Sequence, residues 1–250
     1  MIKVANLHRD FDTGVSALAN VNFLIKKGEF VSIIGPSGSG KSTLLRCINR
    51  LVTPSVGEIF FHGRDICKMK RSVLRDLRRS IGMVFQQFNL IPRQSVLKNV
   101  LYGSLGNIGT LRSLFHLFGQ RDITLAFHNL NLLGLSGKEY VRVDQLSGGE
   151  QQRVAIARTL MQSPVLILAD EPIASLDPVA SETVMMHLQK LNQERKITII
   201  ATVHSIDIVK KYSTRVLGLR EGSLIFDGSV ADMDDAVVKS IYDKDIYEDS

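Results

Sequence analysis

The nine residues Gly35-Pro36-Ser37-Gly38-Ser39-Gly40-Lys41-Ser42-Thr43 constrain this chain more than any other stretch. Before them runs Phe30-Val31-Ser32-Ile33-Ile34, an apolar segment of strand length. After them Thr43-Leu44-Leu45-Arg46-Cys47-Ile48 begins a helical pattern. Strand, glycine loop and helix form the context in which G-x-x-x-x-G-K-[ST] reads as a phosphate-binding loop. Gly35, Gly38 and Gly40 lack a Cβ, so the backbone can turn tightly and come close to a ligand. The loop amides converge where the helix N-terminus adds its positive dipole end. Lys41 is placed to supply a fixed charge for β- and γ-phosphates, and Ser42 a hydroxyl for Mg²⁺. A glycine-rich turn with no ligand would not need that flanking strand and helix.

The chain has 250 residues, 44% hydrophobic and 22% charged, which is the profile of a soluble globular protein with a sizeable core. Its longest apolar runs are of the type Val165-Leu166-Ile167-Leu168-Ala169, far too short to span a bilayer. The run Met1-Ile2-Lys3-Val4-Ala5-Asn6-Leu7 lacks the apolar stretch of a signal peptide, so a cytosolic location is expected. Cys47 and Cys67 fit neither a disulfide framework nor a metal site. The net charge of +6 is concentrated between Arg64 and Arg79, with Lys68, Lys70, Arg71, Arg75 and Arg78. The expectation there is the solvated face of a surface helix. With no zinc spacing and no RNA-binding aromatic motif, nucleic acid is not an expected partner.

Short β-like segments fill residues 1–30. Ile2 to Leu7 alternates with period two, Thr13-Gly14 marks a turn, and Val21 to Ile25 resumes the pattern, predicting a small antiparallel sheet. Glu58-Ile59-Phe60-Phe61 and Ile81 to Phe85 read as further strands. From about residue 95 to 162 the β-branched runs give way to Leu, Phe and Asn broken by glycines, predicting an inserted helical subdomain. Val165 to Ala169 and Ile197 to Val203 are buried-strand runs, with Val184, Leu188 and Leu191 on one helix face between them. Strands alternating with helices predict an α/β fold with a mainly parallel sheet. Val216 to Leu219 and Ser223 to Phe226 read as a closing hairpin, and acidic residues 230–250 as a short helix and tail.

Two further stretches carry chemistry. Leu146-Ser147-Gly148-Gly149-Glu150-Gln151-Gln152-Arg153 precedes a helix with apolar Val154, Ala157, Leu160 and Met161. Ser147 with Glu150 fits a capping box. A cap alone does not call for Gly148-Gly149, whose exposed amides with the Ser147 hydroxyl would make a second anion-binding helix start. Val165 to Ala169 then delivers Asp170 and Glu171 at a strand end. In a phosphate-loop protein the first would hold Mg²⁺, and the second would be free to orient or deprotonate water.

On these motifs the chain resembles the nucleotide-binding subunit of ATP-binding cassette (ABC) transporters. GPSGSGKST, LSGGEQQR, VLILADE, Gln86 at a strand end and the isolated His204 stand in that family's order, over nearly the whole chain. The LSGGE signature separates the family from GTPases, kinases and helicases that share only the loop. The resemblance implies a RecA-like P-loop NTPase, with an antiparallel β subdomain and a helical signature subdomain, in a single domain over residues 1–250. It implies ATP and Mg²⁺ as ligands, Phe11 stacking on adenine, Gln86 linking Mg²⁺ and water to the membrane partner, and His204 at the γ-phosphate. A lone histidine after a strand is otherwise structural more often than not. Asp177 matches the loop that crosses to the other subunit, while Ala174 stands where serine is usual. The implied assembly is a head-to-tail homodimer, in which Ser147 and Gly149 of one chain cap ATP held by Lys41 of the other. It would sit at the cytoplasmic face of the inner membrane on transmembrane permease subunits, with a substrate-binding protein acting through the permease.

Several stretches are most similar to the phosphonate importers' ATPase: Leu77 to Leu90, Val100 to Gly106, Leu111 to Phe115, Asp170 to Pro178, Gly218 to Gly222 and Phe226 to Gly228. Ala201-Thr202-Val203-His204-Ser205 departs from that group's usual residues. Phosphite or hypophosphite import is the neighbouring alternative. A soluble ABC ATPase acting on DNA or ribosomes is more distant, since this chain has neither a second cassette nor a long coiled-coil insertion. A non-hydrolysing scaffold is opposed by intact Lys41, Asp170, Glu171 and His204. The dimer carries its own test: Ser147→Arg is expected to block ATP-induced dimerisation in light scattering while each monomer still binds nucleotide.

Overall fold

The structure, a computed structural model, describes residues 1–11, 14–106 and 118–242. Thr13 of the expected turn, the stretch Leu111 to Phe115 and the last part of the acidic tail lie outside the described residues. Two sheets organise the rest. Strands β1 (Ile2–Asp10), β2 (Ser16–Ile25), β4 (Val56–Phe61) and β5 (Arg64–Asp65) form an antiparallel sheet in the order β2-β1-β4-β5. The central sheet runs β10-β9-β3-β8-β7-β6, from β3 (Phe30–Ile34), β6 (Ile81–Val84), β7 (Leu166–Ala169), β8 (Thr198–Thr202), β9 (Arg215–Arg220) and β10 (Ser223–Ser229). All its pairings are parallel except the β9–β10 hairpin at one edge.

Every residue of β3, β7 and β8 is buried, as expected for parallel strands covered on both faces. Alternation along them divides the core into two layers. Val31, Ile33, Leu166, Leu168 and Ile200 face helix α1 (Lys41–Ile48) and the antiparallel sheet. Phe30, Ile34, Ile167, Ala169, Ile199 and Ala201 face the opposite layer of helices. That layer holds α3 (Val96–Leu101), α4 (Gln120–Leu132), α5 (Gly148–Leu160), α6 (Pro178–Arg195), α7 (Ile206–Tyr212) and α8 (Asp235–Tyr242). Val184, Leu188 and Leu191 form the buried face of α6, as their spacing predicts.

Two local readings change in the structure. The period-two pattern of β1 breaks at Asn6, which adopts φ 48° and donates its amide to Asn22 Oδ1 at 2.8 Å. The register shifts between Val4 and Leu7, so these residues, three apart, both face the core. The basic stretch is not one helix. Arg64 and Asp65 pair with Phe61 and Phe60, and helix α2 covers only Arg71–Arg79. Within it Arg78 is tied down, donating to the carbonyls of Asn49 at 3.1 Å and Arg50 at 2.6 Å. It thereby satisfies acceptors at the end of α1. Cys47 is fully buried in α1, and burial pushes its thiol up to about 12.

Ile200 is fully buried in β8, between β3 and β7. Truncation to alanine is expected to cost about 2–5 kcal/mol, because the packed sheet can close only part of the cavity. Urea unfolding of Ile200→Ala against the parent chain measures it.

Candidate functional site

The site is assembled at one edge of the central sheet, where β3, β8, β7 and β6 all end. From Ile34 the chain enters the glycine loop and then α1. Two of its glycines are dictated by the protein's own backbone. A Cβ on Gly35 (φ 145°) would lie 2.0 Å from the Leu219 carbonyl oxygen, and one on Gly40 (φ 98°) 2.3 Å from that of Ala17. Around Gly38 there is open space instead, and Ser37 beside it is exposed. Loop compactness therefore comes from packing on β9 and β2, and only its tip is open to a ligand. Pro36 and Thr43 are half-buried at either end. The Ser39 hydroxyl is buried with no hydrogen-bond partner among the described residues. The Gly35 amide donates to the Tyr242 hydroxyl at 3.3 Å.

Lys41 is only 4% exposed, and its Nζ donates to the carbonyls of Gly35 and Pro36, each at 2.8 Å. Burial holds its ammonium below the usual lysine value, partly opposed by the carboxylates of Glu171 and Asp170. Helix α1 has no side-chain cap and no acidic residue in its first turn, so its free amides and dipole remain available to an anion.

Ser42 Oγ donates to Asp170 Oδ1 at 2.7 Å, joining the start of α1 to the residue that follows β7. The other carboxylate oxygen of buried Asp170 accepts from Arg46 at 3.4 Å. Glu171 follows with φ 49°, and its amide donates to Thr202 Oγ1 at 2.7 Å. His204 Nε2 lies 3.0 Å from Glu171 Oε1. This pair opens on a pocket of ≈ 420 Å³ lined also by Ile173, Leu176, Ser205 and Ile208. Gln86 stands two residues past the end of β6, exposed.

The remaining candidates are engaged elsewhere. Ser147 caps α5: its hydroxyl accepts from the Glu150 amide at 3.3 Å, and Glu150 Oε2 accepts from the Ser147 amide at 2.9 Å. Lys138 pairs with Glu150 and, as the leading cause, holds its carboxyl below the usual range. The capping box is thus real, and the second glycine has a packing reason as well. A Cβ on Gly149 would come 2.7 Å from Ala180 Cβ on α6, and one on Gly148 3.1 Å from Leu176. Asp177 Oδ1 caps α6 by accepting from the Ala180 amide at 2.9 Å. Phe11 has the Arg9 guanidinium 4.5 Å from its ring centroid. Among the described residues, no hydrogen bond joins Phe11, Gln86, Ser147 or Asp177 to the Lys41 loop.

Three residues here escaped the sequence reading. Thr202 is a hydroxyl at the end of the apolar run Ile199-Ile200-Ala201, and Arg46 follows Ser42 by one helical turn, so both left a faint signal. Tyr242 left none, standing 207 residues from Gly35.

The donors fit a magnesium nucleotide. An uncapped helix start and a buried ammonium suit phosphates, and one hydroxyl with one carboxylate are hard oxygen ligands. No group of three or more His, Cys, Asp or Glu capable of holding a metal occurs among the described residues. A cation held at Ser42 and Asp170 would complete its shell with phosphate oxygens and water.

Comparison with known proteins agrees with this geometry. The family model described as "ABC transporter" matches residues 18–174. "Phosphonates import ATP-binding protein PhnC 3" of Halalkalibacterium halodurans is 48% identical over 249 residues, covering 100% of this chain and 96% of that protein. "Phosphonates import ATP-binding protein PhnC" of Bdellovibrio bacteriovorus is 48% identical over 243 residues, covering 97% and 93%. The solved post-hydrolysis dimer of the ATP-binding cassette MJ0796, bound to ADP and Pi, superposes with a TM-score of 0.81 at 38% identity, covering 92% of this chain and 99% of that one. The ADP conformation of the cassette MJ1267 gives 0.82 at 30% identity, with 96% and 97% covered. With the motifs, the sheet order and the full-length likeness in agreement, the chain belongs to the ABC transporter family, among its ATP-hydrolysing cassettes.

Proposed function

We propose that this chain is the ATPase subunit of an importer for phosphonates, working as a homodimer on a membrane permease. The observation that carries the solute class is the likeness to phosphonate-import ATP-binding proteins at 48% identity along essentially the whole chain. What supports the ATPase chemistry is the joining of Lys41, Ser42, Asp170, Glu171 and His204 at one sheet edge.

Lys41 rests on two loop carbonyls and exchanges these neutral acceptors for charged phosphate oxygens when ATP enters. The amides of the Gly35–Thr43 loop surround the β-phosphate, and the Phe11 ring stacks on adenine. Ser42, Asp170 and Gln86 would hold Mg²⁺ together with the phosphates, where it would supply a Lewis acid that spreads their charge. Glu171 takes a proton from the water that attacks the γ-phosphorus. The bond to the bridging oxygen breaks, ADP leaves with that electron pair, and the proton passes on to the released phosphate. His204, within hydrogen-bond reach of the Glu171 carboxylate, aligns it and senses the γ-phosphate.

The partner subunit completes the site. The Lys138–Glu150–Ser147 cap pins the start of α5 and takes up the Glu150 amide, while the amides of Gly148 and Gly149, without an intrahelical acceptor, are offered to the γ-phosphate across the dimer. Asp177, fixed as the cap of α6, lines the crossing loop. Each ATP adds contacts only in the closed dimer, so binding shifts the population toward closure and hydrolysis reverses it. Among the described residues no helix is long and apolar enough to cross a membrane. The cycle therefore acts on separate permease subunits, at their cytoplasmic face, with a binding protein delivering the solute on the far side.

Glu171→Gln is expected to bind ATP with near-parental affinity, lose at least about 100-fold in turnover and accumulate as a dimer. Coupled-enzyme ATPase assay and size-exclusion light scattering read these; an unchanged steady-state rate removes Glu171 from the base role. Affinity capture with the same variant and Mg-ATP from detergent-solubilised native membranes is expected to retain a polytopic permease and a phosphonate-binding subunit. Recovery of ribosomal proteins or DNA without a membrane partner would overturn the importer reading.

A further inference from the structure

The hydrogen bond from the Gly35 amide to Tyr242 links the nucleotide loop to the last described helix. Packing delivers it. Ile241 is fully buried against β9, where Gly218 leaves the space: a Cβ there would come 2.6 Å from Ile241 Cδ1. Arg220, at the end of β9, donates to the Ser240 carbonyl at 3.1 Å. Strand β9 pairs with β3 in register Ile34 to Gly218. Helix α8 is therefore seated on the strand adjacent to the one that ends in the loop, and its final turn brings the Tyr242 ring to Gly35. Burial raises the phenol above its ordinary value, so the hydroxyl keeps its proton and remains a neutral acceptor at pH 7.

Gly35 is where such a bond has most effect. With φ 145° and no Cβ it is intrinsically free to rotate, and its own carbonyl receives Lys41 Nζ. The amide side of this residue is held by Tyr242 and the carbonyl side by Lys41. Loosening the first relaxes the peptide on which the second rests.

We propose that Tyr242 is a positioning residue of the nucleotide loop: through the Gly35 amide it preorganises the backbone that receives the β- and γ-phosphates, and so tunes affinity for ATP and ADP. The inference rests on the loop's being the nucleotide site. It also makes the C-terminal helix part of that site, since any change that lifts α8 from β9 withdraws the hydroxyl.

The test is Tyr242→Phe in the full chain, which removes one oxygen and keeps the ring packed. The Gly35 amide, followed by ¹⁵N NMR hydrogen exchange without nucleotide, is expected to exchange several-fold faster, while the Gly218 and Ile241 amides keep their rates. The Kd for ATP and for ADP should rise by the same factor, about three- to tenfold for one lost hydrogen bond, with kcat at saturating ATP changed less than twofold. Unchanged exchange at Gly35, or unchanged nucleotide affinity, overturns the proposal. So does faster exchange throughout α8 and β9, which would make Tyr242 a packing residue only. Failure of the parent chain to bind ATP would instead strike the nucleotide-site reading, and the Gly35 exchange rates would still decide whether the contact exists.

Discussion

Four parallel strands ending at one edge hold the site together. β3, β8, β7 and β6 are neighbours in that order, with Ile33 opposite Thr202, Ala201 opposite Ala169, and Ala169 opposite Val84. Each strand leaves the sheet and at once delivers a polar group: the Lys41 loop, His204, Asp170 with Glu171, and Gln86. Parallel pairing makes these ends coincide, and full burial on both faces fixes the register, since a slip of one residue would exchange the two core layers. An antiparallel arrangement would send alternate polar ends to opposite edges. The crevice outside the carboxyl ends of such a sheet is where α/β folds bind ligands.

Within that frame the charges are partnered by the chain itself. Lys41 rests on carbonyls, Asp170 on Ser42 and Arg46, and Glu171 on His204. Buried charge without such partners is costly enough to change the protonation state or open the structure. In the proposed cycle nucleotide enters by exchanging internal bonds for external ones, and the difference in free energy is smaller than the strength of either set. A site balanced in this way can bind and release a ligand repeatedly, as a cycling ATPase requires.

Much of this was legible in the sequence, for reasons that differ by residue. The apolar runs of β3, β7 and β8 read as buried strands, with Asp170, Glu171 and His204 within two residues of their ends and Lys41 at the close of the glycine loop that follows β3. Local signals also gave the Ser147–Glu150 cap. Illegible were features set by contacts between distant segments. Gly35 and Gly40 look like concessions to a ligand, yet each is required by a carbonyl of a neighbouring strand. Gly149 reads as an open amide and is also crowded by Ala180. The break at Asn6 and the short β5 depended on pairing that periodicity does not encode. Tyr242 was invisible because nothing near it in the chain resembles a site.

Glu171 shows how the same contacts bear on chemistry. A non-glycine residue at φ 49° costs on the order of 1–2 kcal/mol, and it persists only where surrounding bonds determine it. Here the Thr202 hydroxyl holds its amide and His204 meets its carboxylate, so both ends of the residue are fixed from β8 and the loop beyond it. The left-handed turn bends the chain sharply after Asp170, so consecutive carboxylates serve different partners: Asp170 accepts from Ser42 and Arg46, and Glu171 meets His204. In a relaxed extended strand end, two adjacent side chains would point to opposite faces of the sheet. The strain is thus what lets one strand end present two successive carboxylates to different partners within the same crevice, as the proposed division between a metal-side and a water-side carboxylate needs.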